Sequence, residues 1–327
     1  MKAISFREAI KEAMSEEMRR DKRIYLIGEE VGEYNGAYKV SKGMLAEFGK
    51  NRVIDTPISE LGFTGIGIGS ALNGCRPIIE FMSFNFSLVA IDQIINHAAK
   101  IRQMSGGQWQ LPIVFRGPTG FAGPLGATHS QALETLYAHC PGLKVVVPSN
   151  AYDAKGLLKS AIKDNDVIIF LESEHMYSDQ MKLPNLEYYL PLGKSLIKKQ
   201  GADLTLVSFG KILKLAFKAS KELEKENIDI EIIDLQTIRP LDYKTILKSV
   251  KKTNRLLILE EAWPFCSISS EITYLVQKYA FDYLDAPIKR ITLEDTPAPY
   301  AKNLIKLWYP SKTEIIHAAK NLLYLKR

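Results

Sequence analysis

The N-terminal part of the chain alternates short apolar runs with stretches of helical periodicity. Such short runs, rich in Ile and Val, are typical of strands that are buried on both faces. They lie at 24–27, 53–54, 77–81, 111–115, 143–147 and 167–171, and helices are predicted between them at 60–73, 88–104, 131–138 and 151–163. A further amphipathic helix is predicted at the N-terminus, with a capping box formed by Ser5 and Glu8. Alternating strands and helices predict an α/β fold with a largely parallel sheet flanked by helices.

The alternation fails between 176 and 200, where Tyr, Pro and Gly accumulate, and then resumes. The second series has strands at 203–208, 229–233, 255–260 and 288–292 and helices at 211–226, 242–251, 267–280 and 312–324. A chain of 327 residues suits two domains. We predict a first domain at 1–176, a linker at 177–198 and a second, smaller α/β domain at 199–327.

Composition and charge exclude several classes of function. The net charge is only +6 and the basic residues occur in pairs, which argues against nucleic-acid binding. Cys75, Cys140 and Cys266 lie far apart, so neither a disulfide scaffold nor a common zinc spacing is predicted. No apolar run has the length of a membrane span, and acidic residues near the N-terminus argue against a targeting peptide. These features predict a bacterial cytoplasmic protein, and a mature organelle-matrix chain has the same features.

Two segments that follow predicted strands carry candidate functional residues. Ser59 is placed to cap a helix that begins at Glu60, shortly after the strand at 53–54. Glu60 suits the helix dipole there, but the carboxyl edge of a parallel sheet is also where α/β proteins bind ligands. His129 lies in a stretch rich in Gly and Pro, 116–130, whose composition is typical of a binding or lid loop. The histidine is either a helix cap or a group that exchanges protons near neutral pH.

Two further patterns have structural explanations. Gly65, Gly67 and Gly69 superficially resemble a dinucleotide-binding pattern, but they fall inside a predicted helix rather than in a tight turn between strand and helix. Close helix packing is therefore the favoured interpretation. The aromatic run at 81–86 is compatible with core packing or with an apolar platform for a flat ring.

Taken together, motifs in both halves of the chain resemble one family. They are Asp55-Thr56-Pro57-Ile58-Ser59-Glu60, Glu80-Phe81-Met82-Ser83-Phe84-Asn85-Phe86, Thr128-His129-Ser130-Gln131, His139-Cys140-Pro141-Gly142-Leu143-Lys144-Val145-Val146, Thr237-Ile238-Arg239-Pro240-Leu241-Asp242, Glu260-Glu261-Ala262-Trp263-Pro264 and Asp295-Thr296-Pro297-Ala298-Pro299-Tyr300-Ala301. They are similar to motifs of the beta subunits of pyruvate dehydrogenase, the thiamine-diphosphate-dependent decarboxylase component of 2-oxo acid dehydrogenase complexes. The resemblance covers nearly the whole chain. It implies a transketolase-like pyrimidine-binding domain followed by a transketolase-like C-terminal domain.

The resemblance also implies roles for individual residues. Glu60 is implied to be the carboxylate that bonds the pyrimidine ring nitrogen of thiamine diphosphate and promotes the imino tautomer that activates the cofactor. Ile58, Met82 and Phe86 match positions that line the pyrimidine ring. His129 matches a histidine at the mouth of the active site. There it either stabilises charge on the bound pyruvate-derived adduct or donates a proton when the acyl group passes to a lipoyl sulfur.

The motif that holds the metal end of the cofactor is missing. Thiamine diphosphate enzymes bind the diphosphate and Mg²⁺ through a Gly-Asp-Gly motif, and this sequence contains none. The resemblance therefore implies an alpha subunit that holds Mg²⁺, and a heterotetramer of two alpha and two beta chains. It also implies that the C-terminal domain docks on a dihydrolipoyl acetyltransferase core. Segment 64–99, rich in small and apolar residues, is the candidate interface with the alpha subunit.

Some members of the family bind a potassium ion, mostly through main-chain carbonyls. The matching positions here are Ile113, Ala161, Ile162, Asp164 and Asp166. A hard cation held by oxygen atoms is chemically reasonable there. A helix C-terminus followed by solvated aspartates is the alternative interpretation.

The activity implied is oxidative decarboxylation of pyruvate with reductive acetylation of lipoyl groups. Beta subunits of acetoin and branched-chain 2-oxo acid dehydrogenases are the alternatives of the same class. Met82 and Phe86 favour pyruvate over branched-chain substrates, while acetoin stays open. A non-catalytic scaffold subunit is the alternative of another class, but it would have no need of Glu60 and His129 together.

Overall fold

The computed structural model describes residues 2–325, which form two compact units. The first unit contains the chain up to Thr119 together with Leu136–Leu192. The second contains Gly120–Thr135 and the chain from Gly193 onwards. Each unit has its own hydrophobic core.

The division differs from the predicted one in two respects. The main boundary lies at Leu192, inside the segment 177–198 that was predicted as a linker. The stretch 120–135 joins the second unit, where the Phe121 ring packs on Trp308 and Tyr309. A contact made across so much intervening sequence leaves no periodic signal, so the sequence pattern placed this stretch in the first domain.

The first unit is built on a parallel sheet. Its strands are β1 (Lys2–Ser5), β2 (Ile24–Gly28), β3 (Val53–Asp55), β4 (Arg76–Glu80), β5 (Ile113–Pro118), β6 (Leu143–Val146), β7 (Val167–Glu172) and β8 (Gln180–Leu183). Six of them run parallel in the order β6-β7-β5-β4-β2-β3, and β1 pairs antiparallel with β8. Strands β2, β5 and β7 are buried along their whole length, which explains their continuous apolar runs.

Helices lie between these strands. They are α1 (Phe6–Arg20), α2 (Met44–Phe48), α3 (Glu60–Leu72), α4 (Ile101–Met104), α5 (Glu134–His139) and α6 (Ala151–Lys163). The predicted capping box is present at the start of α1, where Ser5 and Glu8 bond reciprocally. A Cβ atom on Gly67 would lie 2.4 Å from Ile79 Cδ1, so α3 packs directly on β4. Gly67 therefore has the predicted packing role, whereas a Cβ atom on Gly69 would meet nothing within 4 Å.

The single helix predicted at 88–104 is broken into shorter pieces. A 3₁₀ helix covers Phe84–Ala90, a π-helix covers Gln93–Ala98, and α4 follows. The Ser87 hydroxyl donates to Phe84 O at 2.6 Å and lies 2.5 Å from the Tyr137 hydroxyl. Such bonds from a side chain to the backbone compete with regular helical pairing.

The second unit has a smaller sheet. Its strands are β9 (Leu196–Lys199), β10 (Leu204–Ser208), β11 (Ile230–Asp234), β12 (Thr237–Arg239), β13 (Leu256–Leu259) and β14 (Lys289–Ile291), and its helices are α7 (Leu213–Glu224), α8 (Tyr243–Thr253), α9 (Ile268–Ala280), α10 (Lys302–Trp308) and α11 (Lys312–Leu322). The sheet order is β14-β13-β10-β11-β9, with β9 antiparallel at one edge. Strands β8 and β9 lie in the predicted linker. Neither is fully buried, so neither has the continuous apolar run by which strands such as β2 and β7 were recognised, and the short strands β1 and β12 were missed as well.

No helix within residues 2–325 is both long enough and apolar enough to cross a membrane.

Candidate active site

Three glutamates lie at the carboxyl edge of the first sheet. Glu29 directly follows β2, Glu60 begins α3 after β3, and Glu80 ends β4. The strand order β4-β2-β3 makes these three ends neighbours. Glu29 interacts with Glu60 through a hydrogen bond and like charge, and with Glu80 through like charge. Sequence reasoning identified Glu60 but missed Glu29, although the same signal, an acidic residue at the end of a buried strand, was available for it.

Glu29 and Glu60 form a buried carboxyl pair, and each of the two residues is only 6% exposed. Burial, followed by the charge of Glu60, raises the pKa of Glu29 to about 7. Glu29 therefore keeps a proton more readily than an exposed glutamate does. Glu29 Oε1 is buried and finds no hydrogen-bond partner in the described part of the chain. A buried acceptor without a donor is unusual in a protein interior, and this oxygen is available to accept a hydrogen bond from a bound molecule.

The backbone around this pair is held by close contacts. The Asp55 carboxylate accepts hydrogen bonds from Gly32 N at 2.6 Å and Glu33 N at 2.9 Å. A Cβ atom on Gly28 would lie 2.5 Å from Glu80 O, so strand β2 approaches β4 too closely there for any other residue. These contacts fix the path of the chain on both sides of Glu29.

Ser59 precedes α3 but does not cap it through its side chain. Its hydroxyl makes no cap bond, and the helix begins with Phe63 N donating to Ser59 O at 3.0 Å. The predicted side-chain cap is therefore wrong. The Ser59 hydroxyl lies against Gly62 in the first turn, where a Cβ atom would be 2.6 Å from it, but it accepts no hydrogen bond from the helix backbone.

The apolar residues predicted to line a cofactor ring lie at the same sheet edge. Ile58 is 84% exposed in the turn before α3, which is unusual for isoleucine. Met82 and Phe86 follow β4 and are half-buried. By contrast, Phe81 and Phe84 are fully buried and meet edge to face at 5.4 Å. The aromatic run thus divides into two core residues and two that stay accessible.

Glu80 itself is engaged by a buried arginine. The fully buried Arg116 bonds Glu80 on one side and Glu172 on the other, with Nη2 to Glu172 Oε2 at 2.6 Å. The Tyr177 hydroxyl donates to Glu172 Oε2 at 2.8 Å. Burial raises the pKa of Glu80 although Arg116 opposes that shift. Glu80, whose charge acts on Glu29, is therefore ion-paired with Arg116.

His129 belongs to the second unit, whereas Glu60 belongs to the first. The histidine ends a 3₁₀ turn at Ala127–His129, is exposed, and has Nδ1 3.2 Å from Thr128 Oγ1. Helix α5 begins only at Glu134. The helix-cap interpretation of His129 is therefore wrong, since the residue lies too far from the first turn of that helix.

The positions proposed for potassium lie around the end of α6. The Arg76 guanidinium donates to Ile162 O at 2.9 Å and to Asp164 O at 2.6 Å. Lys144 Nζ lies 2.6 Å from Asp164 Oδ2 and 3.1 Å from Asp166 Oδ2. The two aspartates are thus ion-paired and not merely solvated. Because each carbonyl oxygen has two lone pairs, a cation can share these carbonyls with Arg76, and potassium binding stays a prediction.

Both units match family models. Residues 2–180 match the pyrimidine-binding domain of transketolase, and residues 193–315 match the transketolase C-terminal domain. A solved structure described as a split-gene transketolase, inactive beta4 tetramer, superposes with a TM-score of 0.81 at 19% identity. The match covers 99% of this chain and 100% of that one, and at this identity it shows the fold alone. These findings confirm the predicted fold class.

Relatives with curated names extend over nearly the whole chain. A protein of Rhizobium meliloti (strain 1021) named pyruvate dehydrogenase E1 component subunit beta is 54% identical over 99% of this chain and 71% of its own length. The chain belongs to the pyruvate dehydrogenase E1 beta-subunit family. A Rickettsia felis member of this family is 51% identical over 98% of both chains, and a mitochondrial member from Oryza sativa is 50% identical over 99% of this chain and 87% of its own.

Family membership confirms the resemblance seen in the sequence. It supports pyruvate dehydrogenase over the acetoin, branched-chain and scaffold alternatives.

Proposed function

We propose that this chain acts as the beta subunit of a pyruvate dehydrogenase that decarboxylates pyruvate oxidatively and acetylates lipoyl groups of a dihydrolipoyl acetyltransferase core. The observation that carries the proposal is the buried Glu29–Glu60 pair at the sheet edge of a transketolase-type pyrimidine-binding domain. Membership of this family supports thiamine diphosphate as the cofactor. The residues at this edge suit its pyrimidine half, because they combine a carboxylate with accessible apolar side chains.

When bound, the cofactor supplies the electron sink for decarboxylation, and the protein supplies position and electrostatics. Glu60 would hold a proton at its carboxyl oxygen facing the pyrimidine nitrogen. Glu29, whose pKa is raised to about 7, can take up or return the proton that Glu60 exchanges. A neighbour that titrates near neutral pH therefore suits a group that must gain and lose a proton in every turnover.

Ile58, Met82 and Phe86 would form the apolar wall for the pyrimidine ring. The half-buried aromatic face of Phe86 can stack on a flat heterocycle. The exposed Ile58 would lose its contact with water on cofactor binding, which adds roughly 1.5–3 kcal/mol when such a side chain is fully buried. With the cofactor bound, this apolar wall would also keep water away from the Glu29–Glu60 pair.

His129 would act where the acetyl group leaves this site. It is exposed on a loop, so it can reach solvent and an incoming lipoyl group. It either stabilises charge on the pyruvate-derived adduct or donates the proton to the lipoyl sulfur.

An alpha subunit would complete the site by holding Mg²⁺ and the diphosphate. Helix α3 exposes Leu61, Ile66 and Leu72, and the nearby Val89 is exposed as well. Ile66 is the most exposed of these four side chains, at 64%. An apolar surface of this kind suits a permanent subunit interface. Docking of the C-terminal domain on the acetyltransferase core, the potassium ion and a cytoplasmic location remain parts of the proposal.

The test is a calorimetric titration of thiamine diphosphate with Mg²⁺. The chain alone is expected to bind weakly or not at all, whereas the chain assembled with a pyruvate dehydrogenase alpha subunit is expected to bind tightly and to decarboxylate pyruvate. Tight binding by the chain alone would mean that it holds a complete cofactor site, and the division between subunits would then be abandoned.

A variant separates the role of Glu60 from that of the fold. In the assembled enzyme, Glu60→Gln should bind the cofactor and keep its thermal stability, but lose decarboxylation by roughly 100-fold or more, since proton transfer by a placed group contributes that much. Glu47→Gln, which removes a surface partner of Arg19, is the matched control and should keep full activity. Normal turnover by the Glu60 variant would remove this residue from its proposed role.

A further inference from the structure

The loop that carries His129 is closed at its base by a backbone bond. Gly120 N donates to Gln131 O at 2.9 Å, so residues 120–131 form a closed loop. We call this segment the His129 loop. His129 lies two residues before the closing bond, so its position depends on how this base is held.

Lys211 and Glu261 hold the base of the His129 loop from the second unit. Glu261 Oε1 accepts a hydrogen bond from Phe121 N at 2.6 Å, and Lys211 Nζ donates to Phe121 O. Lys211 Nζ and Glu261 Oε1 lie 2.7 Å apart. Both backbone groups of Phe121 are thus bound by one ion pair whose members are largely buried. A hydrogen bond to a charged group is about twice as strong as a neutral one.

The local backbone is shaped around this ion pair. Gly120 has φ +75°, and a Cβ atom there would lie 2.5 Å from Glu261 Oε1. The position therefore requires glycine both for its conformation and for the space that the carboxylate occupies. An ordinary loop has no need of such a close approach to a buried carboxylate.

Aromatic side chains pack on the same part of the His129 loop, at Phe121. The Phe121 ring lies 5.8 Å from both Trp308 and Tyr309, measured between ring centroids. The Tyr309 hydroxyl donates to Glu261 Oε2 at 2.7 Å. Glu261 therefore uses one oxygen to hold the loop and the other to bind the aromatic wall on which the loop rests.

A further buried carboxyl group, that of Glu134, lies near the Lys211–Glu261 ion pair. The nearby Glu134 is fully buried as well, and burial together with the charges of Glu261 and Glu260 raises its pKa to about 8. Glu134 is therefore mostly protonated at neutral pH. Glu134 therefore adds little negative charge beside the Lys211–Glu261 ion pair.

We propose that Lys211 and Glu261 are positioning residues that hold the His129 loop for acetyl transfer to the lipoyl group. They touch neither the reacting atoms nor His129 itself in the described contacts, and act through the Phe121 backbone. The proposal rests on the function proposed above. It assigns to the C-terminal transketolase-like domain a part in the second half of the reaction, in addition to any docking role.

The experiment uses the assembled holoenzyme with three variants of graded severity. Lys211→Met removes the bond to Phe121 O and leaves Glu261 buried without its cation. Glu261→Gln keeps an acceptor for Phe121 N but removes the charge, and Tyr309→Phe removes only one hydrogen bond. Glu222→Gln is the matched control, because it removes a surface carboxylate of the same unit that pairs with Lys225 and Lys312.

Three quantities are measured for each enzyme: hydrogen exchange of the amides at 120–131, pyruvate turnover with an artificial electron acceptor, and reductive acetylation of a free lipoyl domain. We expect Lys211→Met to accelerate amide exchange in the His129 loop. It should also reduce acetylation roughly 10- to 100-fold more than acceptor-linked turnover, because a small misplacement of a reacting group has effects of that size. The loss should decrease from Lys211→Met through Glu261→Gln to Tyr309→Phe, with no change in the control.

Unchanged exchange in the His129 loop of Lys211→Met would overturn the proposal, as would an equal loss of both rates in all three variants. If Lys211→Met fails to assemble, the proposal is tested with Glu261→Gln and Tyr309→Phe. The quantity compared is again the rate of reductive acetylation relative to acceptor-linked turnover. Failure of the wild-type holoenzyme to decarboxylate pyruvate would instead contradict the proposed function, so the two failures are distinguishable.

Discussion

Glu29 and Glu60 share a hydrogen bond across two neighbouring strand ends, and both are buried in the chain itself. The carboxylate proposed to activate the cofactor therefore has a second carboxyl group of the same chain beside it. Burial and the charge of Glu60 raise the pKa of Glu29 to about 7, so this second carboxyl group can gain or lose a proton near neutral pH.

The first prediction concerns the pH dependence of stability. Burial raises the pKa of Glu29 from 4.5 to about 7, so folding favours its protonated form. That stabilisation is fully present below pH 4.5 and is lost as the pH rises through about 7. Relative to Glu29→Gln, the free energy of unfolding of the wild-type chain should therefore fall with rising pH across this window. After allowance for solvent screening at the sheet edge, the change is about 1–2 kcal/mol.

Chemical denaturation of both chains between pH 4 and pH 9 measures this difference. The charges of Glu60 and Glu80 act on Glu29, so neither residue can serve as a control, and Glu33→Gln, on the following loop, is used instead. Parallel stability profiles for Glu29→Gln and the wild type would contradict a raised pKa at Glu29.

The second prediction concerns His129. In the assembled enzyme, His129→Ala should reduce reductive acetylation of a lipoyl domain by roughly 100-fold, the usual contribution of a placed acid or base. If the histidine donates the proton to the lipoyl sulfur, turnover with an artificial acceptor should change little. If it stabilises the adduct, both rates should fall together. Thr128→Ala removes the neighbour of Nδ1 and should have a smaller effect. Full acetylation by His129→Ala would exclude both roles.

The third prediction concerns the buried arginine behind the pair. Arg116→Met leaves Glu80 and Glu172 buried without their cation, and such a change usually costs about 3–5 kcal/mol. Arg102→Met, which breaks the more exposed pair with Asp166, should cost less than about 1 kcal/mol. Urea denaturation of the isolated chains compares the two. Equal costs would mean that Arg116 is not the required counter-charge of the two glutamates.

The fourth prediction concerns the start of the second unit. A fragment from 199 onwards lacks most of β9, which pairs antiparallel with β11 at the sheet edge. A fragment from 193 onwards keeps that pairing and should unfold at a higher temperature. Circular dichroism during heating compares the two fragments. A fragment from 199 that is at least as stable would show that β9 does not contribute to the fold of this unit.

Much of the fold follows from local sequence patterns. Strands such as β2 and β7, buried on both faces, appear as continuous apolar runs, and the Ser5–Glu8 capping box is visible in four residues. Strands β8 and β9 escaped detection because they are partly exposed. The segment predicted as one helix at 88–104 is divided into the end of a 3₁₀ helix, a π-helix and α4. Ser87, just before it, bonds to Tyr137, which is distant in the sequence.

The sequence by itself determined the alternation of strands and helices, the absence of the Gly-Asp-Gly motif, and the candidate status of Glu60 and His129. These depend on residue type, spacing and motif, which are local properties. Only the tertiary structure decided that Glu29 lies beside Glu60 and that residues 120–135 rest on Glu261, Lys211 and the aromatic pair of the second unit. Such contacts depend on strand order and on packing between distant segments, and neither is encoded in the spacing of neighbouring residues.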